Sequence, residues 1–284
     1  MFSAVNKIIA TAAISLAAAT ALWSCGDNSQ EKAAQKLYAD TETLIGEKNY
    51  TGALSLLDTL DTKFATQTTI RRKALALRVK AIEGQAIDSI AESDARLCRA
   101  QIAVDSLKDG FKYMKSNVGL EGYYIANSAS DNVLNTTGIQ ARITEDGLFY
   151  IVANVQGRSI GINSLEFADG AETAATLPAS PGRLVAVEGS ELISFKPEEV
   201  SDGARWLKEH PGASAYSIVG SRASISSKLT PKLYKEITGT FDYSQALREL
   251  KLASIKREKF ERRLQIARDQ LANLETTSEA EAEN

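Results

Sequence analysis

Two segments of the chain carry apolar residues at seven-residue spacing, and the stretch between them drops to a period of two. In the first segment Ile90, Leu97, Val104, Phe111 and Val118 recur every seventh position, and Ser93, Ala100, Leu107 and Met114 follow three residues after the first four. This is an a/d seam of about four heptads, the pattern that lays one helix along another. In the second segment Leu250, Arg257, Leu264 and Leu271 form one register, and Ala246, Ala253, Phe260, Ala267 and Leu274 form the other. The intervals from Ile90 to Phe111 and from Leu250 to Leu271 are equal. The economical arrangement is an antiparallel pair within one chain, with Phe111 opposite Leu250 and Ile90 opposite Leu271. About 30 helical residues at 1.5 Å each give a stalk of roughly 45 Å.

Between the seams, Ile139, Ala141 and Ile143 alternate with polar residues, residues 148–155 form a buried-strand run, and Ile160, Ile162 and Leu165 alternate again. Asp146-Gly147 is a type I′ hairpin signal. With Gln156-Gly157-Arg158 as the next connection, the three strands are expected to form an antiparallel meander. Further strands are expected at residues 183–187, 192–195, 215–219 and 223–225. A short helix opens at Pro197, with Glu198 and Glu199 in its first turn, and stops at His210-Pro211-Gly212. Asp242 followed by Gln245 is a capping box ahead of the second heptad run.

Upstream of the seams, Ala34, Leu37, Tyr38, Leu44 and Ile45 share a helical face, Gly46-Glu47-Lys48-Asn49 breaks it, and Tyr50, Ala53, Leu54, Leu57 and Leu60 begin another. A third helix starts after Thr68-Thr69. The spacing of Leu37, Leu44, Tyr50, Ala53, Leu57 and Leu60 resembles one tetratricopeptide repeat. Such repeats need about three copies to stack, so the segment is expected to be a single helical hairpin.

The fold class expected is therefore α+β: an N-terminal helical hairpin, then an antiparallel coiled-coil stalk with an antiparallel β domain inserted at its tip. The boundaries are 1–24 for a signal peptide, 25–30 for a tether, 31–82 for the hairpin and 83–118 for the first stalk helix. A β-rich head at 119–229, a second stalk helix at 230–275 and a disordered acidic tail at 276–284 complete the chain.

The signal assignment comes from the first residues. Lys7 precedes an apolar run from Ile8 to Leu22, which ends at Leu22-Trp23-Ser24-Cys25. The run is shorter than the roughly 20 residues that span a bilayer, and its order is that of a cleaved secretion signal. Leu22-Trp23-Ser24-Cys25 resembles the lipobox of bacterial lipoproteins. The resemblance implies that Cys25 becomes the lipidated first residue, anchoring the chain to a membrane in the bacterial cell envelope, on its periplasmic or cell-surface side. As a whole the chain also resembles uncharacterised coiled-coil envelope lipoproteins.

The remaining residues say more about what the chain lacks than about what it binds. With 33 basic and 36 acidic side chains there is no basic excess for nucleic acid. Cys98 is the other of two cysteines, so no disulfide framework exists once Cys25 is acylated. The single histidine, His210, sits where it would cap a helix. No nucleophile elbow, phosphate loop, dinucleotide fingerprint or zinc-helix motif occurs, so no catalytic residue, metal ligand or cofactor is assigned. Asp58/Asp61 and Glu198/Glu199 read as helix-end acids. The interleaved run Lys256-Arg257-Glu258-Lys259 with Arg262-Arg263 reads as a solvated coiled-coil flank. Asp58-Thr59-Leu60, Asp88-Ser89-Ile90 and Asp105-Ser106-Leu107 are similar to a short O-glycosylation signal.

Aromatic anchors dominate recognition surfaces, which makes Trp206, Tyr150 and Tyr216 the candidate binding residues of the head. The leading expectation is a non-catalytic lipid-anchored envelope protein that presents this head to a protein or glycan, with self-association through the stalk left open. The alternatives are an envelope hydrolase with its site in the β domain and a helical peptide-binding scaffold.

Overall fold

The computed structural model describes residues 27–115, 122–131, 135–170, 172–180, 185–187 and 189–282. Cys25, the signal segment and Val118 lie outside the described residues. The chain divides into two compact units, Met1–Ala81 and Ile82–Asn284. Its fold is mixed α+β, with five α-helices and two antiparallel sheets among the described residues.

The first unit holds helices α1 (Asp27–Gly46) and α2 (Tyr50–Lys63) and the start of α3 (Thr68–Leu107). Asn49 caps α2 by accepting the Gly52 N–H at 3.0 Å. Lys48, at φ +59°, makes the left-handed turn between α1 and α2. Ala34, Leu57, Leu60, Ala74 and Leu77 form the core, with Leu37, Tyr38 and Ile45 packed against it. Ala53 is fully buried. Residues 27–30, expected to be tether, are already the first turn of α1.

In the second unit α3 ends at Leu107, a 3₁₀ turn covers Lys108–Gly110, and the strands follow as β1 (Phe111–Met114), β2 (Tyr123–Ala126), β3 (Gly138–Thr144) and β4 (Phe149–Gln156). Next come β5 (Ile162–Asp169), β6 (Glu172–Pro178), β7 (Val185–Val187) and β8 (Ser190–Phe195). The last elements are α4 (Pro197–Glu209), β9 (Ala215–Gly220), β10 (Ser224–Lys228) and α5 (Pro231–Ala282). One sheet runs β1-β2-β3-β4-β8-β7 and the other β10-β9-β5-β6.

Several expectations change here. Phe111 and Met114 are strand residues rather than stalk positions: Gly110 ends the helix, and the chain turns to pair Phe111 with Ala126 and Met114 with Tyr123. The meander breaks after its first hairpin. β4 pairs with β8, while β5 crosses to the other sheet and pairs with β6 and β9. The Asp146-Gly147 turn is not type I′, which needs φ > 0 at two positions. Only Gly147 is left-handed, at φ +82°. Its N–H reaches the Thr144 carbonyl at 2.9 Å, and the Thr144 N–H reaches Leu148 O at 3.0 Å. A side chain at Gly147 would also crowd Leu247 and Arg248 of α5.

Helix α5 begins at Pro231 rather than at the Asp242/Gln245 pair. Thr230 caps it by accepting the Leu233 N–H at 3.2 Å, and Asp242 instead forms an ion pair with Lys208 of α4. The tail expected to be disordered continues α5 through Ala282, in keeping with its content of the good helix formers Ala and Glu.

The main core draws on both sheets, on Val200, Ala204 and Leu207 of α4 and on Ile237 and Phe241 of α5. A second cluster joins Val104, Ile143, Tyr243 and Ala246, with Phe111 stacked on Tyr243 at 4.6 Å. Ion pairs cross between α3 and α5 in antiparallel order: Glu83 with Arg268, Glu92 with Lys256, Asp94 with Arg257 and Arg96 with Glu249.

Candidate recognition surface

The period-two pattern of β3 and β4 sorts their side chains onto two faces. Ile139, Ala141, Phe149, Ile151, Ala153 and Val155 point into the main core. The opposite face carries Gln140, Arg142, Thr144, Tyr150, Val152 and Asn154. Part of that face is roofed by the loop before β3. Gln140 Nε2 donates to Ser130 O at 2.6 Å, and Asn154 Nδ2 donates to Thr136 O at 2.8 Å. Val152 and Asn154 are accordingly buried.

Beyond the roof the face opens into a groove of about 360 Å³, lined by Thr144, Leu148, Tyr150, Ser194, Phe195, Lys196, Pro197 and Glu198. Register places Tyr150 of the groove between two cations, Arg142 beside the lining and Lys196 within it. Arg142 is the Cα partner of Tyr150 across β3 and β4. Ile151 pairs with Phe195 across β4 and β8, which sets Lys196 on the other flank of Tyr150.

Arg142 is fixed by neutral groups. Its Nε donates to Gln140 Oε1 at 2.6 Å, and its guanidinium lies 4.2 Å from the centre of the Tyr123 ring. Burial pushes the Tyr150 phenol up, with Arg142 acting in the opposite direction, so the group is neutral at physiological pH. Among the described residues, no carboxylate pairs with Arg142 or with the Lys196 ammonium.

The three aromatic candidates therefore have different surroundings. Tyr150 lines the groove. Tyr216 is 6% exposed within the main core, and burial raises its phenol. Trp206 packs on the outside of that core and stacks on His210, ring centres 4.2 Å apart. His210 is the C-cap of α4, its backbone N–H on Trp206 O and its Nδ1 2.9 Å from the same carbonyl. Arg142 and Lys196 were not among the candidates. Arg142 can be counted from the hairpin turn, but Lys196 depends on the β4–β8 pairing, which leaves no trace in local sequence.

The acidic candidates have structural partners. Asp58 and Asp61 hold Arg78 at 2.7 and 2.8 Å, and Asp61 also holds Arg71. Glu199 accepts the N–H groups of Lys196 and Ser180 and the Ser180 hydroxyl, while Glu198 stays exposed on the groove rim. Thr59 and Ser106 of the O-glycosylation-like triplets donate to helix carbonyls. Cys98 is exposed and unpaired on α3. Among the described residues there is no group of three or more metal-ligating side chains, and no helix is long and apolar enough to cross a membrane. Comparison with family models, curated proteins and solved structures yields no match.

Proposed function

We propose that the chain is a non-catalytic bacterial lipoprotein, acylated at Cys25, that presents its β domain in the cell envelope to bind a protein or glycan. In this reading the hairpin forms the base, the α3–α5 pair acts as the stalk, and the β domain is carried at its tip. The observation that supports it is the groove on the sheet face opposite the core, where Tyr150 lies with Lys196 on one flank and its β3 partner Arg142 on the other. A groove with an aromatic floor and a few fixed polar groups is the usual form of a recognition site. The anchor rests on Leu22-Trp23-Ser24-Cys25 alone, and one acyl chain binds membranes only marginally, so two or more are expected.

Two measurements test this. Labelled fatty acid is expected to enter the wild type and not Cys25→Ala, and equal labelling overturns the anchor. Purified cell envelopes are expected to retain the delipidated chain but not its Tyr150→Ala variant; equal retention removes the groove from recognition. A hydrolytic activity lost in Glu198→Ala would replace binding with catalysis.

A further inference from the structure

We infer that the Tyr150 groove takes a carboxylate-bearing glycan, with Arg142 and Lys196 meeting the carboxylates and Tyr150 supporting the sugar ring. This rests on the reading of the β domain as a recognition head.

The first support is the state of Arg142. Its position is set by Gln140 and Tyr123 rather than by an acid. A guanidinium oriented by neutral partners keeps its full charge and its remaining N–H donors for a ligand. Its planar fork matches a carboxylate, and little freedom is lost when the bond forms. Most cations on the neighbouring helices are instead neutralised, as Lys208 is by Asp242 and Lys251 by Asp146.

The second support is the order of the row. Arg142 on β3 and Lys196, the residue that follows β8 and caps α4, flank Tyr150 of β4, so the cations stand about two strand spacings apart, roughly 10 Å, with an aromatic face between them. That order suits a chain in which charged groups alternate with flat, weakly apolar rings. Leu148 and Pro197 add apolar flanks, and exposed Glu198 offers an acceptor for sugar hydroxyls.

The third support separates a glycan from a peptide. The groove lies over β3, β4 and β8, which are interior strands of the six-stranded sheet. β4 itself is laddered on both sides, to β3 and to β8, so an extended peptide has no edge of that strand to join. Over β4 only side chains are left to read a ligand, and a glycan presents all its recognition groups on its side-chain-like substituents.

The test uses the full delipidated chain and calorimetric titration with three probes: a hyaluronan octasaccharide, in which a uronate carboxylate falls on alternate sugars, a neutral chitin oligosaccharide, and polyglutamate. The hyaluronan probe is expected to bind at least about tenfold more tightly than the other two, and less tightly as salt is added. Arg142→Gln and Lys196→Gln are each expected to weaken it about tenfold, and Tyr150→Ala to abolish it. Lys235→Gln, an exposed cation on α5, leaves it unchanged. Unchanged thermal unfolding of each variant separates lost binding from lost fold. The inference is overturned if hyaluronan does not bind, if polyglutamate binds as well, or if the two Gln variants bind normally. Binding of the chitin probe that depends on Tyr150 but not on the cations overturns it while leaving the recognition head intact. Envelope retention that ignores Tyr150 overturns the head reading itself.

Discussion

Glu191 shows how much a single buried side chain can hold. It is 1% exposed on β8, and its carboxylate accepts the backbone N–H groups of Ile160, Gly161 and Ile162 where the chain crosses from one sheet to the other. Burial pushes its carboxyl up, but those amides and the Ser159 hydroxyl outweigh it and hold the group below the ordinary value of 4.5. A carboxyl with a lower pKa in the folded state stabilises fully above its unfolded pKa, and loses that contribution as pH falls through the folded value. Acid unfolding is therefore expected to draw on Glu191 below about pH 4.5. Glu191→Gln, which sets amide against amide, should lower stability at neutral pH by about 2 kcal/mol and flatten the acid limb of a pH–denaturation series. An unchanged acid limb would show that the carboxylate is not the responsive group. Nothing in the sequence marked this residue, because its partners are backbone groups some thirty positions away.

At the scale of elements, the features that read correctly were local. α4 starts at Pro197 and ends at His210 because its Pro, its first-turn acids and its Pro-Gly exit are all encoded within a few residues. The β3–β4 hairpin was likewise legible from alternation. Register between distant helices was not. Heptad spacing says that two seams face each other but not how far they slide, and here Gly110 cut the first seam short. With Glu92 beside Lys256, Ile90 lies about three and a half turns from the neighbourhood of Leu271. A short bismaleimide is expected to join Arg96→Cys to Glu249→Cys within one chain, in a Cys98→Ala background, and to leave Ile90→Cys and Leu271→Cys unjoined. The opposite pattern would restore the register expected from the heptads. Tyr150 was legible as an aromatic on a strand, whereas its pairing with Lys196 required a strand pairing made across some forty residues.

For the molecule as a whole, the division into two compact units predicts separable stability. Leu57 is 1% exposed in the hairpin core, and Leu57→Ala is expected to cost that unit about 2–5 kcal/mol. Amide exchange should speed up in α1 and α2 while β4 and β8 keep their protection. Loss of protection in both units together would show a single cooperative body.

The order in which the chain is connected also decides the order in which it folds. Arg96 and Glu249 are separated by 153 positions, so α3 is made long before the helix that neutralises it exists. Closing so long a loop through the unfolded chain is entropically costly. Once the sheets have formed, however, both helices leave the same folded body and the effective loop is short. Assembly is thus expected to run from the β domain outward, with the helix pair zipping last. A defect at Phe195 or Ile151 should abolish the ion pairs of α3 and α5, while removing those ion pairs should leave the refolding rate of the sheets unchanged.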